Sequence, residues 1–241
     1  MILELENVTK QYKNGRGAED ISFTLAPGEV LGLLGPNGSG KTTTMKAIAG
    51  LVRPSRGAIR ICGIDALEHR EAAMRHTGCL IEAPALYEYL TAYENLKLAA
   101  RFFDAVDEAR IDEVLHLVEL GKFRQDKAGS FSLGMRQRLG LAIALLAAPS
   151  LLILDEPANG LDIEGMVYVR QIVKEAAERG AAVLISSHLA HEIEQCATKV
   201  ALLYDGRLLG VDGMEAVLGA YASVEEYFLA KVAQSRKGVD V

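Results

Sequence analysis

The chain has 241 residues, 50% of them hydrophobic and 24% charged, which suffices for one large domain or two small ones around a sizeable core. Its formal net charge of −6 and pI of about 5.5 lack the basic excess of a dedicated nucleic-acid binder. Its three cysteines, Cys62, Cys79 and Cys196, are widely spaced and form no CxxC, which excludes a disulfide framework or zinc site and fits a reducing compartment.

MILELENVTKQY alternates apolar and polar residues, which predicts a strand and excludes a signal peptide. DISFTL, Asp20 to Leu25, alternates again, and EVLGLLG, Glu29 to Gly35, is a continuous apolar strand ending in glycine. KTTTMKAIAGL reads as a helix and GAIRICG as a short strand. CLIEAP, Cys79 to Pro84, reads as a buried strand entering a turn, with one carboxylate, Glu82, in uncharged surroundings. A helix-rich stretch follows, from about Tyr93 to Ala148. After Pro149 come the strand LLILDEP, the helix MVYVRQIVKEAAERG closed by Gly180, the strand AAVLISSH and the helix LAHEIEQCA. KVALLYDGRLLGVD predicts a hairpin turning at Asp205-Gly206; SVEEYFLAKVA predicts a C-terminal helix, and RKGVDV a frayed tail. The apolar run Leu139 to Leu154 is broken by Pro149-Ser150 and falls short of the about 20 residues a membrane span needs. It reads as a buried helix followed by a buried strand. The whole pattern predicts an α/β fold with a parallel core sheet, an N-terminal antiparallel β part and an inserted helical subdomain.

GPNGSGKT, Gly35 to Thr42, fits the P-loop pattern G-x-x-x-x-G-K-[ST]. Gly35, Gly38 and Gly40 let backbone N–H groups point at phosphate without Cβ obstruction. Pro36, Asn37, Ser39 and Thr43 complete the cradle, Lys41 supplies a cation to the β and γ phosphates, and Thr42 offers its hydroxyl to Mg²⁺. In LLILDE a buried strand ends in two carboxylates. Asp155 is the candidate Mg²⁺ ligand, and Glu156 the group that polarises the attacking water.

FSLGMRQRL, Phe131 to Leu139, lies shortly before that strand. With Ser132, Gly134, Gln137 and Arg138 in place, it resembles the signature of ATP-binding cassette (ABC) ATPases, usually S-G-G-Q; Leu133 and Met135 stand where the second Gly and the Gln are usual. The resemblance covers nearly the whole chain. It implies an ABC nucleotide-binding domain over residues 2–230, with a helical subdomain at about 84–148 and a tail at 231–241. It implies ATP and Mg²⁺ as cofactors, with Tyr12 stacking on adenine and His188 contacting the γ phosphate. Ser132, Gly134 and Met135 would meet the ATP of a second copy in a head-to-tail homodimer, with Asp162 in the loop that crosses to that copy. It also implies a separate transmembrane permease, which would hold the chain on the cytoplasmic face of the membrane; no nucleic-acid partner is expected.

Glu82 falls where the family usually has Gln, whose oxygen approaches Mg²⁺ and the attacking water. Glu keeps the acceptor and adds a charge, which near Asp155 and Glu156 should repel them when no cation is bound, so Glu82 is expected to act as a cation ligand and to strengthen dependence on it. Glu at this position resembles the lantibiotic self-protection exporters of Gram-positive bacteria, close to bacitracin-resistance ATPases. The implied activity is ATP hydrolysis that powers export of an amphiphilic antimicrobial peptide. The alternatives are an exporter ATPase for another amphiphile (drug, lipid or polysaccharide) and a non-transport ABC ATPase. The single cassette and the absence of a long coiled coil argue against the last of these.

Overall fold

The computed structural model describes residues 1–237. One sheet of ten strands organises them, in the order β5-β4-β1-β2-β10-β9-β3-β8-β7-β6. The N-terminal part is antiparallel: β1 (Leu3–Gln11) pairs with β2 (Gly17–Leu25) and with β4 (Arg56–Ile61), which pairs with β5 (Ile64–Asp65). The core is parallel. Here β3 (Val30–Leu34) lies between β8 (Ala182–Ser187) and β9 (Lys199–Tyr204), and β7 (Leu151–Asp155) joins β8 to β6 (Thr77–Leu80). The hairpin from β9 to β10 (Arg207–Gly213) links the two parts, because β10 also touches β2. The α/β expectation with its antiparallel N-terminal part is borne out. So is the hairpin turn: Asp205 and Gly206 both have positive φ, 48° and 79°, as a two-residue hairpin loop requires.

The core strands are apolar throughout because both faces of the sheet are covered. Along β7, Leu151 and Ile153 join the cluster on one face, with Leu31, Leu33 and Met45, whereas Leu152 and Leu154 join the cluster on the other, with Leu139, Val169 and Ile185. The first face is closed by α1 (Lys41–Ile48), the helix that follows the P-loop. Gly32, at the middle of β3, lets α7 (Ala190–Cys196) approach, since a Cβ there would lie 2.2 Å from Ile193 Cγ2.

Between β6 and β7 lie α3 (Ala92–Ala100), α4 (Glu108–Leu117) and α5 (Leu133–Leu145). Each begins with a side-chain cap: Thr91 in a full capping box with Glu94, Asp107, and Ser132. α6 (Ile163–Glu178) follows β7 and is capped by Asp162. Two short helices escape the sequence pattern, α2 (Arg70–Met74) and α8 (Met214–Ala220). The boundary expected at residue 230 falls inside α9 (Val224–Lys237), which Val232 anchors in the protein interior; of the expected frayed tail, residues 238–241 lie outside the described residues.

Candidate functional site

The P-loop connects the C-terminal end of β3 to the first turn of α1. That turn has no side-chain cap and no acidic residue, and its N-cap, Gly40, is left-handed at φ 104°. The orphan N–H groups and the positive end of the helix dipole are therefore open to an anion. A Cβ at Gly35 would lie 2.2 Å from Leu203 O, and one at Gly40 would lie 2.6 Å from Gly17 O, so the loop sits tight against the hairpin and β2. Lys41 is 5% exposed and folds back over the loop, donating to Gly35 O at 2.7 Å and Pro36 O at 3.3 Å. Ser39 is buried, its hydroxyl without a hydrogen-bond partner among the described residues.

β7 delivers the two carboxylates to the same place. Thr42 Oγ1 donates to Asp155 Oδ2 at 2.8 Å, and Ser186 Oγ donates to Asp155 Oδ1 at 2.6 Å. Asp155 and Ser186 are register partners of β7 and β8, which explains the second contact. Glu156 turns out of the strand with φ 47°, its N–H held by Ser186 Oγ at 2.9 Å. One carboxylate oxygen lies 3.5 Å from Lys41 Nζ and the other 2.6 Å from His188 Nδ1. Against a carboxylate that nitrogen is the donor.

A cleft of about 300 Å³ is lined by Tyr12, Asn37, Gly38, Gly40, Lys41, Thr42, Thr43 and Glu156, with Asn14, Arg16 and Gly17. It thus unites an aromatic platform, an anion cradle and a carboxylate. Tyr12 is 40% exposed, with Lys10 Nζ 5.6 Å from the ring centre. A hard divalent cation that keeps its waters and phosphate oxygens needs few protein ligands. The adjacent hydroxyl and carboxylate of Thr42 and Asp155 fit Mg²⁺.

The remaining expected residues lie elsewhere. Ser132 caps α5 by accepting the Met135 N–H at 3.3 Å, Asp162 caps α6 by accepting the Gly165 N–H at 2.8 Å, and neither lines the cleft. Gly134 sits in the first turn of α5 beside Leu161. Met135, expected to meet the nucleotide of a second copy, is partly buried against the larger apolar cluster. Glu82, expected to be repelled by Asp155 and Glu156, is exposed and does not line the cleft. Its carboxylate is paired with Lys46 Nζ at 2.6 Å, so the charge is balanced without a metal.

Sequence reasoning missed Ser186 and Lys46, and it gave Gln137 only as a match to the signature. Gln137 is buried and donates from Nε2 to Pro157 O at 3.2 Å, tying the signature helix to the turn after Glu156. A signal for Ser186 was available in the two hydroxyls that end the otherwise apolar β8.

The sequence pattern of the ABC transporter family matches residues 18–159. Over 215 residues the chain is 45% identical to YhcH, an uncharacterized ABC transporter ATP-binding protein of Bacillus subtilis (strain 168), covering 89% of this chain and 70% of that protein. It is 40% identical over 209 residues to the bacitracin transport ATP-binding protein BcrA of Bacillus licheniformis, covering 86% and 68%. Identity is 37% over 227 residues with the lantibiotic transport ATP-binding protein SrtF of Streptococcus pyogenes, covering 94% and 96%. Among solved structures, an ATP-binding subunit of an ABC transporter superposes with a TM-score of 0.87 at 30% identity, over 96% of this chain and 100% of that one. A dimeric post-hydrolysis state of an ATP-binding cassette bound to ADP and Pi gives 0.79 at 26% identity, over 88% and 98%.

Proposed function

We propose, since this chain belongs to the ABC transporter family as an ATP-binding and hydrolysing subunit, that its hydrolysis of ATP drives export of an amphiphilic antimicrobial peptide, lantibiotic or bacitracin-like, through a separate permease. The observation that carries the substrate class is the likeness to the lantibiotic transport protein, 37% identical and covered over 96% of its own length. The bacitracin transport protein at 40% identity and the glutamate at position 82 point the same way. Among the described residues no helix is long and apolar enough to cross a membrane, so the permease would be a different chain or segment.

In this reading the open N–H groups of α1 and Lys41 bind the phosphates, and Tyr12 stacks on the base. Thr42 and Asp155 hold Mg²⁺, which when bound neutralises charge on the transferring phosphoryl group. Glu156 takes up the proton side of the attacking water, and His188 aims its carboxylate from 2.6 Å. Ser186 fixes both acids at once, through Asp155 Oδ1 and the Glu156 N–H. Ser132 and Gly134 lie outside the cleft of their own chain, as expected if they complete the cleft of a second copy. The dimeric form of the cassette at 26% identity supports that arrangement.

The test is growth of a sensitive Gram-positive host exposed to a lantibiotic or bacitracin. The host would carry this gene with its neighbouring permease genes, as wild type or Lys41→Ala. Protection by the wild type alone is expected. Absence of protection against both peptides, with the permease expressed and ATP hydrolysis intact, would refute the substrate class and leave the ATPase assignment standing.

A further inference from the structure

His188 Nδ1 lies 2.6 Å from Glu156, yet the His188 side chain is 39% exposed, so packing alone does not hold the ring. Its place depends on the backbone to either side. Ser187, the last residue of β8, is buried and pairs in register with Leu34, the last residue of β3 before the P-loop. Leu189, on the other side of His188, is the N-cap of α7 and forms no side-chain cap. The Ser187 hydroxyl supplies an acceptor in its place. It takes the Leu189 N–H at 3.0 Å and closes a tight turn with His188 at its centre.

A hydroxyl that accepts one hydrogen bond is free to donate another. Ser187 Oγ donates to Glu192 Oε2, a carboxylate in the first turn of α7. A hydroxyl facing a carboxylate makes one of the stronger hydrogen bonds, so the Ser187 rotor is fixed with its lone pair toward Leu189. α7 is itself fastened to the sheet one residue further on, where Ile193 is fully buried and packs over Gly32 of β3. Among the described residues no cation pairs with the Glu192 carboxylate, so an ion pair does not explain an acid at this position.

We propose that Glu192 is a positioning residue for His188. By holding the Ser187 hydroxyl it fixes the residues on both sides of His188, and so sets the approach of the imidazole to Glu156. Glu192 does not line the phosphate cleft and acts only through this turn. The proposal rests on the reading of His188 as the residue that aims the Glu156 carboxylate.

The experiment is a cycle of steady-state ATP hydrolysis on the wild type, Glu192→Ala, His188→Ala and the double variant, assayed below the melting transition of each. Glu192→Ala should lower kcat about tenfold, the order expected when a catalytic group shifts by a fraction of an ångström. Glu192→Gln keeps an oxygen to accept the Ser187 hydroxyl and should recover kcat to within about threefold of the wild type. In the His188→Ala background, Glu192→Ala should cost less than about twofold, because the group it positions is gone. Ser187→Ala, which removes the bracket from its other end, should repeat this pattern and serves if Glu192→Ala does not fold. Equal losses with and without His188 would overturn the proposal, since Glu192 would then act independently of the ring. Wild-type kcat in Glu192→Ala, or a loss in Glu192→Gln as large as in Glu192→Ala, would also overturn it. Wild-type kcat in His188→Ala would refute the reading of His188 itself, and the proposal with it.

Discussion

Ser186→Ala removes one small hydroxyl, yet it should injure both stability and catalysis. Ser186 is fully buried on β8, where its hydroxyl donates to Asp155 Oδ1 at 2.6 Å and accepts the Glu156 N–H at 2.9 Å. Asp155 is itself only 5% exposed, so water cannot readily replace the lost donor. A hydrogen bond to a charged group contributes about 1.5–3 kcal/mol, and an orphaned N–H costs about 1 kcal/mol more. The expected loss is about 3 kcal/mol, or a fall in melting temperature of roughly 6–12 °C for a domain of this size. Catalysis should suffer beyond stability, because the left-handed turn at Glu156 loses its anchor. We expect kcat for ATP to fall about tenfold or more while KM, set by the P-loop and Tyr12, changes little. Urea denaturation and steady-state hydrolysis measure the two effects. A stability loss under about 1 kcal/mol, or an unchanged kcat, would refute the argument that one hydroxyl organises both acids.

Tyr12→Ala should raise the KM for ATP about tenfold with kcat nearly preserved, as loss of one base-stacking contact predicts, whereas Tyr12→Phe should behave like the wild type. Steady-state hydrolysis decides this, and an equal defect in both variants would point to the hydroxyl instead. Glu29 supplies a pH prediction. Burial pushes its carboxyl up, but the Ala26 N–H and the Lys199 ammonium together outweigh that and hold it below the ordinary 4.5. Because the folded value is depressed, the contribution is present above about pH 4.5 and fades as pH falls through the folded value. Glu29→Gln should therefore cost up to about 1 kcal/mol near pH 7 and progressively less as pH falls below 4.5, by urea denaturation at pH 7 and at a pH below 4.5. An equal cost at both would contradict the ion pair, which spans 2.6 Å.

Much of this site is legible in the sequence because its main signals are local. The P-loop is an apolar strand, a glycine-rich turn and a helix in one continuous run, and Asp155-Glu156 closes a second apolar run. The hairpin is announced by Asp205-Gly206, whose left-handed backbone few other pairs tolerate. What stays hidden depends on strand order. Ser186 finds Asp155 only because β8 lies beside β7, and Glu82 meets Lys46 across 36 residues of sequence. The five residues of α2 and seven of α8 are too few to establish a helical period.

The central place of β3 also sets an order in time. Its partners are β8 and β9, whose residues lie some 150 positions further along the chain, and the P-loop closes against Leu203 O and receives the Gly206 N–H at Ser39 O. A ribosome that has made the P-loop has not yet made the wall behind it. The nascent cradle must wait, with its strand unpaired on both edges, until residues beyond 206 have emerged. Contacts this distant in sequence fold slowly and leave the apolar β3 unpaired meanwhile. The first capture of nucleotide by a growing chain then reports that nearly the whole sheet has been assembled.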